Sequence, residues 1–165
     1  MKGQLRGVPS FIAIVAVVWL GLRVLHFVIP AAQPDVLTGP FELGSLSEIE
    51  AIVGFEPLVP AYHPVSLGNE PIRIVAKREP SAEVTIMWRG DRLLEVVERP
   101  AGAPFDLPVD AEPLSDRDGW WSWRRGGAIQ LRGARGSVDV EIRTNLSRES
   151  AARVVSTLVP LSEVR

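Results

Sequence analysis

The sequence predicts an α+β protein: an N-terminal transmembrane helix followed by an antiparallel β-sheet of about six strands covered by a C-terminal helix. Three observations predict it. An apolar run opens the 165-residue chain, period-two alternation recurs between residues 72 and 143, and a capped amphipathic stretch closes it. The length suits one domain of ordinary size with an appendage.

The apolar run comes first. Residues 1–30 carry Lys2, Arg6 and Arg23 and no acid, and Phe11–Leu22 is uninterrupted by charge. Val8 to Ile29 is 22 residues, which as a helix reaches ~33 Å, enough for a hydrocarbon core of about 30 Å. Pro30 ends the helix. Lys2 and Arg6 favour a cytoplasmic N-terminus, so the expected location is a single pass of the plasma membrane with the C-terminal domain outside. A cleaved signal peptide competes with this reading, although Arg23 and His26 follow the apolar run and no clean small-x-small site appears. A buried soluble helix is the third reading. Arg23 is either at the outer interface of a shifted span or an intramembrane contact paired with a carboxylate of a partner helix.

The expected organisation is an anchor over 1–30, a Pro/Gly-punctuated tether over 31–45, a domain over 46–160 and a tail over 161–165. In the domain, Ser47-x-x-Glu50 reads as a capping box for a short helix that Gly54 stops. Pro57, Pro60 and Pro64 hold the next stretch extended. Ile72–Lys77, Glu83–Arg89 and Leu93–Val97 read as strands, the latter two joined by a Gly90-Asp91 hairpin turn. After a Pro-rich loop over 100–113, Gly119–Arg125 and Ala128–Arg132 flank a Gly126-Gly127 turn. A looser turn over Gly133–Gly136 leads to the clearest alternation of all, Val138, Val140 and Ile142 against Asp139, Glu141 and Arg143. Ser147 caps the closing helix, whose stripe is Val154, Val155 and Leu158 and whose limit is Pro160.

Chemistry is thinly supplied. Without cysteine there are no disulfides, thiolate zinc sites, iron–sulfur clusters, cysteine nucleophiles or lipobox. Outside the apolar run His63 is the lone histidine, in a Pro-rich loop where a surface or packing role is expected. Asp116-Arg-Asp118 reads as a solvated turn, and no phosphate-loop, dinucleotide, nucleophile-elbow or H-E-x-x-H motif occurs. No catalytic residue, metal ligand or cofactor is therefore expected, and the chain is read as non-enzymatic. Trp120-Trp-Ser-Trp123 is the most unusual local feature; alternation puts Trp121 and Trp123 on one face and Trp120 on the other. Trp120, Arg124 and Arg125 are the candidate partner contact, since tryptophan and arginine are enriched at interface hot spots. The alternative is a tryptophan-rich core with a covered edge.

The formal net charge of −2 is an average. Residues 1–30 carry +3, residues 31–119 carry −9 and residues 120–165 carry +4. The total argues against a dedicated nucleic-acid binder, and its segregation marks the later strands as the face to test.

Two stretches carry a resemblance. Gly54-Phe-x-Pro57-x-x-Pro60 with Pro64, and Leu146-Ser-Arg-Glu-Ser-Ala-Ala-Arg-Val-Val-Ser-Thr-Leu158, are similar to the opening and close of an uncharacterised extracytoplasmic bacterial family. Its members are outer domains of anti-sigma-factor-like and sporulation-associated membrane proteins. The resemblance covers about residues 46–160 and implies a curved antiparallel sheet related to lipoprotein carriers. It implies no catalytic residues. With about ten residues ahead of the expected span, it does not extend to a sigma-binding domain. The expected function is a membrane-anchored module for protein interaction or envelope sensing, with an envelope or membrane protein as partner. The alternative is a carrier that holds an apolar ligand such as a lipid between sheet and helix.

Overall fold

The computed structural model describes residues 19, 39–102, 106–115 and 117–164. The chain divides into two compact units, Met1–Val36 and Leu37–Arg165. Of the first, only Trp19 is described, as an exposed helical residue. Among the described residues no helix is long and apolar enough to cross a membrane. That finding corrects the expected single-pass architecture and the plasma-membrane location drawn from it. The expected span itself, including Arg23, lies outside the described residues.

The second unit is mainly β. Its strands are β1 (Phe41–Glu42), β2 (Leu58–Pro60), β3 (Arg73–Lys77), β4 (Glu83–Arg89), β5 (Leu93–Pro100), β6 (Glu112–Pro113), β7 (Trp121–Arg125), β8 (Ala128–Arg135), β9 (Val138–Thr144) and β10 (Leu158–Pro160). Two short helices accompany them, α1 (Ile49–Val53) and α2 (Arg148–Ser156). Eight strands form one antiparallel sheet in the order β1-β3-β4-β5-β9-β8-β7-β6, and β2 pairs with β10 in a separate two-stranded piece. The α+β expectation of about six strands in sequence order under one helix is corrected on three counts. The six expected strands are all present, but β1 and β6 extend the sheet at either edge. β5 does not neighbour β7; it pairs with β9 along its whole length, from Leu94↔Thr144 to Pro100↔Val138. The inner face is closed by α1, the β2·β10 piece and α2 together.

Alternation explains the layering. Ile74 and Ala76 on β3, Val84, Ile86 and Trp88 on β4, Leu94 and Val96 on β5, Val140 and Ile142 on β9, and Ile129 and Leu131 on β8 all point to one buried face. Ile49, Val53, Leu58, Val59, Ala151, Val154, Val155 and Leu158 of the covering pieces join them in a single core. The opposite face carries charged cross-strand partners: Arg99 meets Glu83 at 2.6 Å and Glu141 at 3.7 Å.

Local signals act where the sequence places them, with informative exceptions. Gly54 ends α1 at φ 76°, and Gly126 and Gly127 have φ 58° and 79° in the turn between β7 and β8, as a tight hairpin of right-twisted strands requires. The Ser147 side chain accepts the Ser150 N–H at 3.2 Å and caps α2. The expected Ser47/Glu50 box is replaced by Ser45, whose hydroxyl donates to Glu48 Oε1 at 2.9 Å ahead of a 3₁₀ turn at Leu46–Glu48. The apolar stripe of the closing helix also divides: α2 ends at Ser156, and Leu158 belongs to β10. Pro60 and Pro160 each end a strand of the β2·β10 piece, where a missing N–H is tolerated. β1 falls in the stretch expected as tether, and the expected tail forms a 3₁₀ turn at Leu161–Val164 whose Leu161 N–H donates to the Pro57 carbonyl at 3.0 Å.

Gly133 is not in a turn. It lies inside β8, which continues to Arg135, and the Trp120 indole lies directly over it; a Cβ there would run into the ring. A glycine within a strand marks such a close approach. Gly133→Ala is expected to cost about 1–3 kcal/mol through overpacking, read as a lower denaturation midpoint. In a Trp120→Ala background the same change should cost far less; strictly additive losses in the double variant would sink this contact.

Candidate functional site

The three clustered tryptophans separate as alternation requires, but the buried one is Trp120. It is 5% exposed, packed on Gly133, and its carbonyl accepts the Leu114 N–H at 2.8 Å. Its expected role as an exposed partner contact is therefore corrected, because its ring fills the gap that Gly133 leaves. Trp121 and Trp123 stand half-buried on the outer face of β7. The indole N–H of Trp123 donates to Gln130 Oε1 at 2.6 Å, directly across on β8. Arg124 and Arg125 are exposed.

Of these residues, Trp123 and Arg124 line a pocket of about 230 Å³ together with Asp110, Glu112, Ser122, Ile129 and Arg148. Each wall has a structural origin. The Gly126-Gly127 turn returns β8 beside β7 and sets Ile129 opposite Arg124. β6 pairs Glu112 with Ser122. The cap at Ser147 starts α2, whose first residue Arg148 reaches Glu112 with an Nη1–Oε2 distance of 2.8 Å. Arg124 makes no ion pair with a described residue. Ser122, 5% exposed, lines the pocket, and its hydroxyl bonds to no described residue. Val109, on the loop that supplies Asp110, is fully exposed. Two further pockets flank this corner, about 450 Å³ beside Arg117 and Trp120 and about 390 Å³ beside Leu114 and Arg148.

Chemically the corner holds two guanidinium groups, two carboxylates and a hydroxyl, with the Trp123 indole on the outer side of the same strand. It has no histidine. His63 lies elsewhere, its ring tilted against Trp88 at 5.8 Å between centroids. Its Nδ1 is buried without a hydrogen-bond partner, and burial holds its pKa below the usual range, which fits a packing role. Among the described residues no group of three or more His, Asp or Glu side chains is placed to hold a metal ion.

One buried titratable group went unread in the sequence. Glu98 is 0% exposed on the inner face of β5, between Val84 and Val140. Both carboxylate oxygens face the Leu58 N–H, at 3.0 and 3.2 Å, which ties β5 to β2. Its inward position was legible from the parity of Leu94 and Val96. Burial raises its pKa to about 8, partly offset by the Leu58 hydrogen bond. The side chain is thus protonated at neutral pH and serves as a structural pin.

No protein-family model, curated protein or solved structure matches the chain. The two stretches on which the expected family resemblance rests both build the covering layer: Pro57 precedes β2 and Pro60 ends it, and residues 146–158 contain α2.

Glu98 predicts a pH dependence of stability. Below about pH 4.5 both folded and unfolded glutamate are protonated, and its contribution is fully present. From there to about pH 8 only the unfolded chain has released the proton, so stability falls by up to roughly 1.4 kcal/mol per pH unit. Above that range the loss levels off. Urea midpoints measured across this interval should decline for the wild type and flatten for Glu98→Gln. Identical slopes in the two proteins would assign the dependence to other groups.

Proposed function

We propose that this domain is a non-enzymatic protein-interaction module that engages its partner at the β6–β7 corner, with Trp123 and Arg124 as the principal contacts. The observation that carries this reading is the open pocket of about 230 Å³ in which the exposed Arg124 guanidinium, in no ion pair with a described residue, stands with Ser122 and Ile129 at the edge of β7. Tryptophan and arginine are the side chains most enriched at interface hot spots, and the fully exposed Val109 adds apolar surface on the rim. The filled core supports interaction over carriage of an apolar ligand. Trp88, Ile49, Ile86, Leu94, Leu131 and Leu158 are all less than 2% exposed between the sheet and its covering pieces, so a lipid would have to displace side chains packed at crystal-like density.

Site-specific photocrosslinking tests the reading in cells that make the protein. A crosslinking residue at Val109 should trap a discrete partner, and one at Val65, equally exposed on a separate loop, should not. Arg124→Glu should reduce the Val109 product about tenfold or more. The same products from both positions, or a yield indifferent to Arg124, would rule the corner out as the contact surface.

A further inference from the structure

The β2·β10 piece rests on the sheet without being part of it. Its two strands bond to each other, the Ala61 N–H donating to the Thr157 carbonyl at 2.9 Å and the Leu161 N–H to the Pro57 carbonyl at 3.0 Å. In this ladder Val59 turns to β10, and alternation turns Leu58 and Pro60 to the free side. Pro60 has no N–H, so Leu58 presents the donor left on that side. It meets the Glu98 carboxyl of β5, at 3.0 and 3.2 Å from the two oxygens. Among the described residues this is the one hydrogen-bonding link between the piece and the eight-stranded sheet. The rest of its attachment is apolar packing.

The chain leaving β2 reaches a second anchor on the same face. Glu98 lies opposite Val84, and His63 sets its ring on Trp88, farther along β4. The stretch of β4 from Val84 to Trp88 spans ~13 Å, within the ~17 Å that the chain from Leu58 to His63 can reach. The segment therefore carries one titratable group at each end, and neither place suits a charge. Glu98 is 0% exposed between Val84, Val140 and Leu58, and its two oxygens share a single donor. No cation faces it: α1 brings Ile49 and Val53 to this core with Glu50 exposed, and the Glu56 carboxylate accepts the Ser162 N–H. The His63 Nδ1 is buried with no hydrogen-bond partner, whereas an imidazolium must donate from both nitrogens. The charged groups around its loop are Arg153, over the Tyr62 ring, and Arg89, Asp91 and Arg92 of the turn beside Ser66. All four are exposed, and none is bonded to the imidazole.

We infer that the β2·β10 piece, with the segment running to His63, is a proton-governed lid, closed on the sheet while Glu98 and His63 are uncharged and lifted when either takes its charge. Water reaches the carboxylate or the second imidazole nitrogen only when the lid rises, so opening and ionisation are linked. The two groups respond to pH in opposite senses. Burial pushes Glu98 up to about 8, against the Leu58 hydrogen bond, so its hold is complete below its ordinary 4.5 and is lost up to about pH 8. Burial lowers His63, against the pull of the Pro60 carbonyl, so its hold is complete above its ordinary 6.5 and is lost as pH falls through the lowered value. From pH 6.5 to about 8 Glu98 acts alone, and opening grows by up to about tenfold per pH unit. Just below pH 6.5 the two slopes oppose and cancel. The raised lid uncovers the floor of Val84, Ile86 and Trp88, each no more than 1% exposed when it is closed. The β6–β7 corner takes no part in this motion.

Residue-resolved amide exchange on the full chain tests the lid, each rate being divided by that of the unfolded chain at the same pH. The Leu58 N–H reports the lid, and the Ile142 N–H at the centre of the sheet is the reference. Protection of Leu58 should fall by up to about tenfold per pH unit above pH 6.5 and stay nearly level just below it. Glu98→Gln keeps a carbonyl acceptor for Leu58 and cannot ionise. It should abolish the fall above pH 6.5 and leave a loss of protection toward acid. His63→Phe keeps a ring on Trp88, and in that variant protection should go on rising as pH drops below 6.5. Urea below the unfolding transition should barely change Leu58 exchange while it accelerates Ile142, because lifting a lid exposes less surface than unfolding. One shared rate and one urea dependence for Leu58 and Ile142 would mean that the piece leaves only with global unfolding, and would overturn the lid. A Leu58 profile that neither variant alters would overturn it too.

Discussion

The pairing of β5 with β9 is the constraint on which the rest of the domain depends. Each strand belongs to its own meander, β3-β4-β5 on one side and β7-β8-β9 on the other, and this ladder alone fuses them into one sheet. It also creates the inner face. Val96 and Ile142 meet across it at the centre of the core, Glu98 and Val140 meet one step along, and Ala101 extends it by donating to the Ser137 carbonyl at 2.8 Å. Because β9 runs directly into Asn145 and the Ser147 cap, the same ladder places α2 over the far meander. Asn145 secures that exit, its Oδ1 accepting the Leu93 N–H at 2.7 Å.

The covering layer is less uniform than the sheet, and its attachment is correspondingly specific. β2 is held from below by the carboxyl of Glu98 and from the side by β10. Thr157 accepts the Tyr62 N–H at 3.2 Å, while the Arg153 guanidinium lies 4.1 Å over the Tyr62 ring. Polar pins of this kind cost desolvation and repay it by fixing one arrangement of short elements that have little surface of their own. They concentrate on β2 and α2, the two stretches that the Gly-Phe-x-Pro-x-x-Pro and closing-helix motifs mark in the sequence.

What could be read beforehand follows from how each feature is encoded. The central strands were legible because five to eight residues with one buried face must alternate, and the paired glycines at 126–127 were legible because only glycine enters that turn cheaply. β1 and β6 were not, since two residues carry no period. β10 was hidden because Leu158 continues the helical spacing of Val154 and Val155, and only the partner strand β2 distinguishes the two. The β5·β9 ladder is a long-range choice that no local pattern expresses. At the candidate site, Arg124 is marked in the sequence by its place beside the tryptophan cluster, and the structure leaves it exposed. The tryptophan was misassigned: alternation separated Trp120 from Trp121 and Trp123, but the glycine that decides which side is covered, Gly133, lies on a different strand.

The brevity of β6 also bears on how molecules of this protein behave toward one another. An open, flat sheet edge invites pairing between identical copies and the growth of insoluble ribbons. Here the exposed length is a single residue, Pro113 removes a donor from the strand beside it, and that one residue is an arginine. Two copies meeting edge to edge at this point would oppose like charges across the ladder, which is destabilising. At this edge a single guanidinium thus turns away a twin, and the growth of ribbons is checked by one side chain.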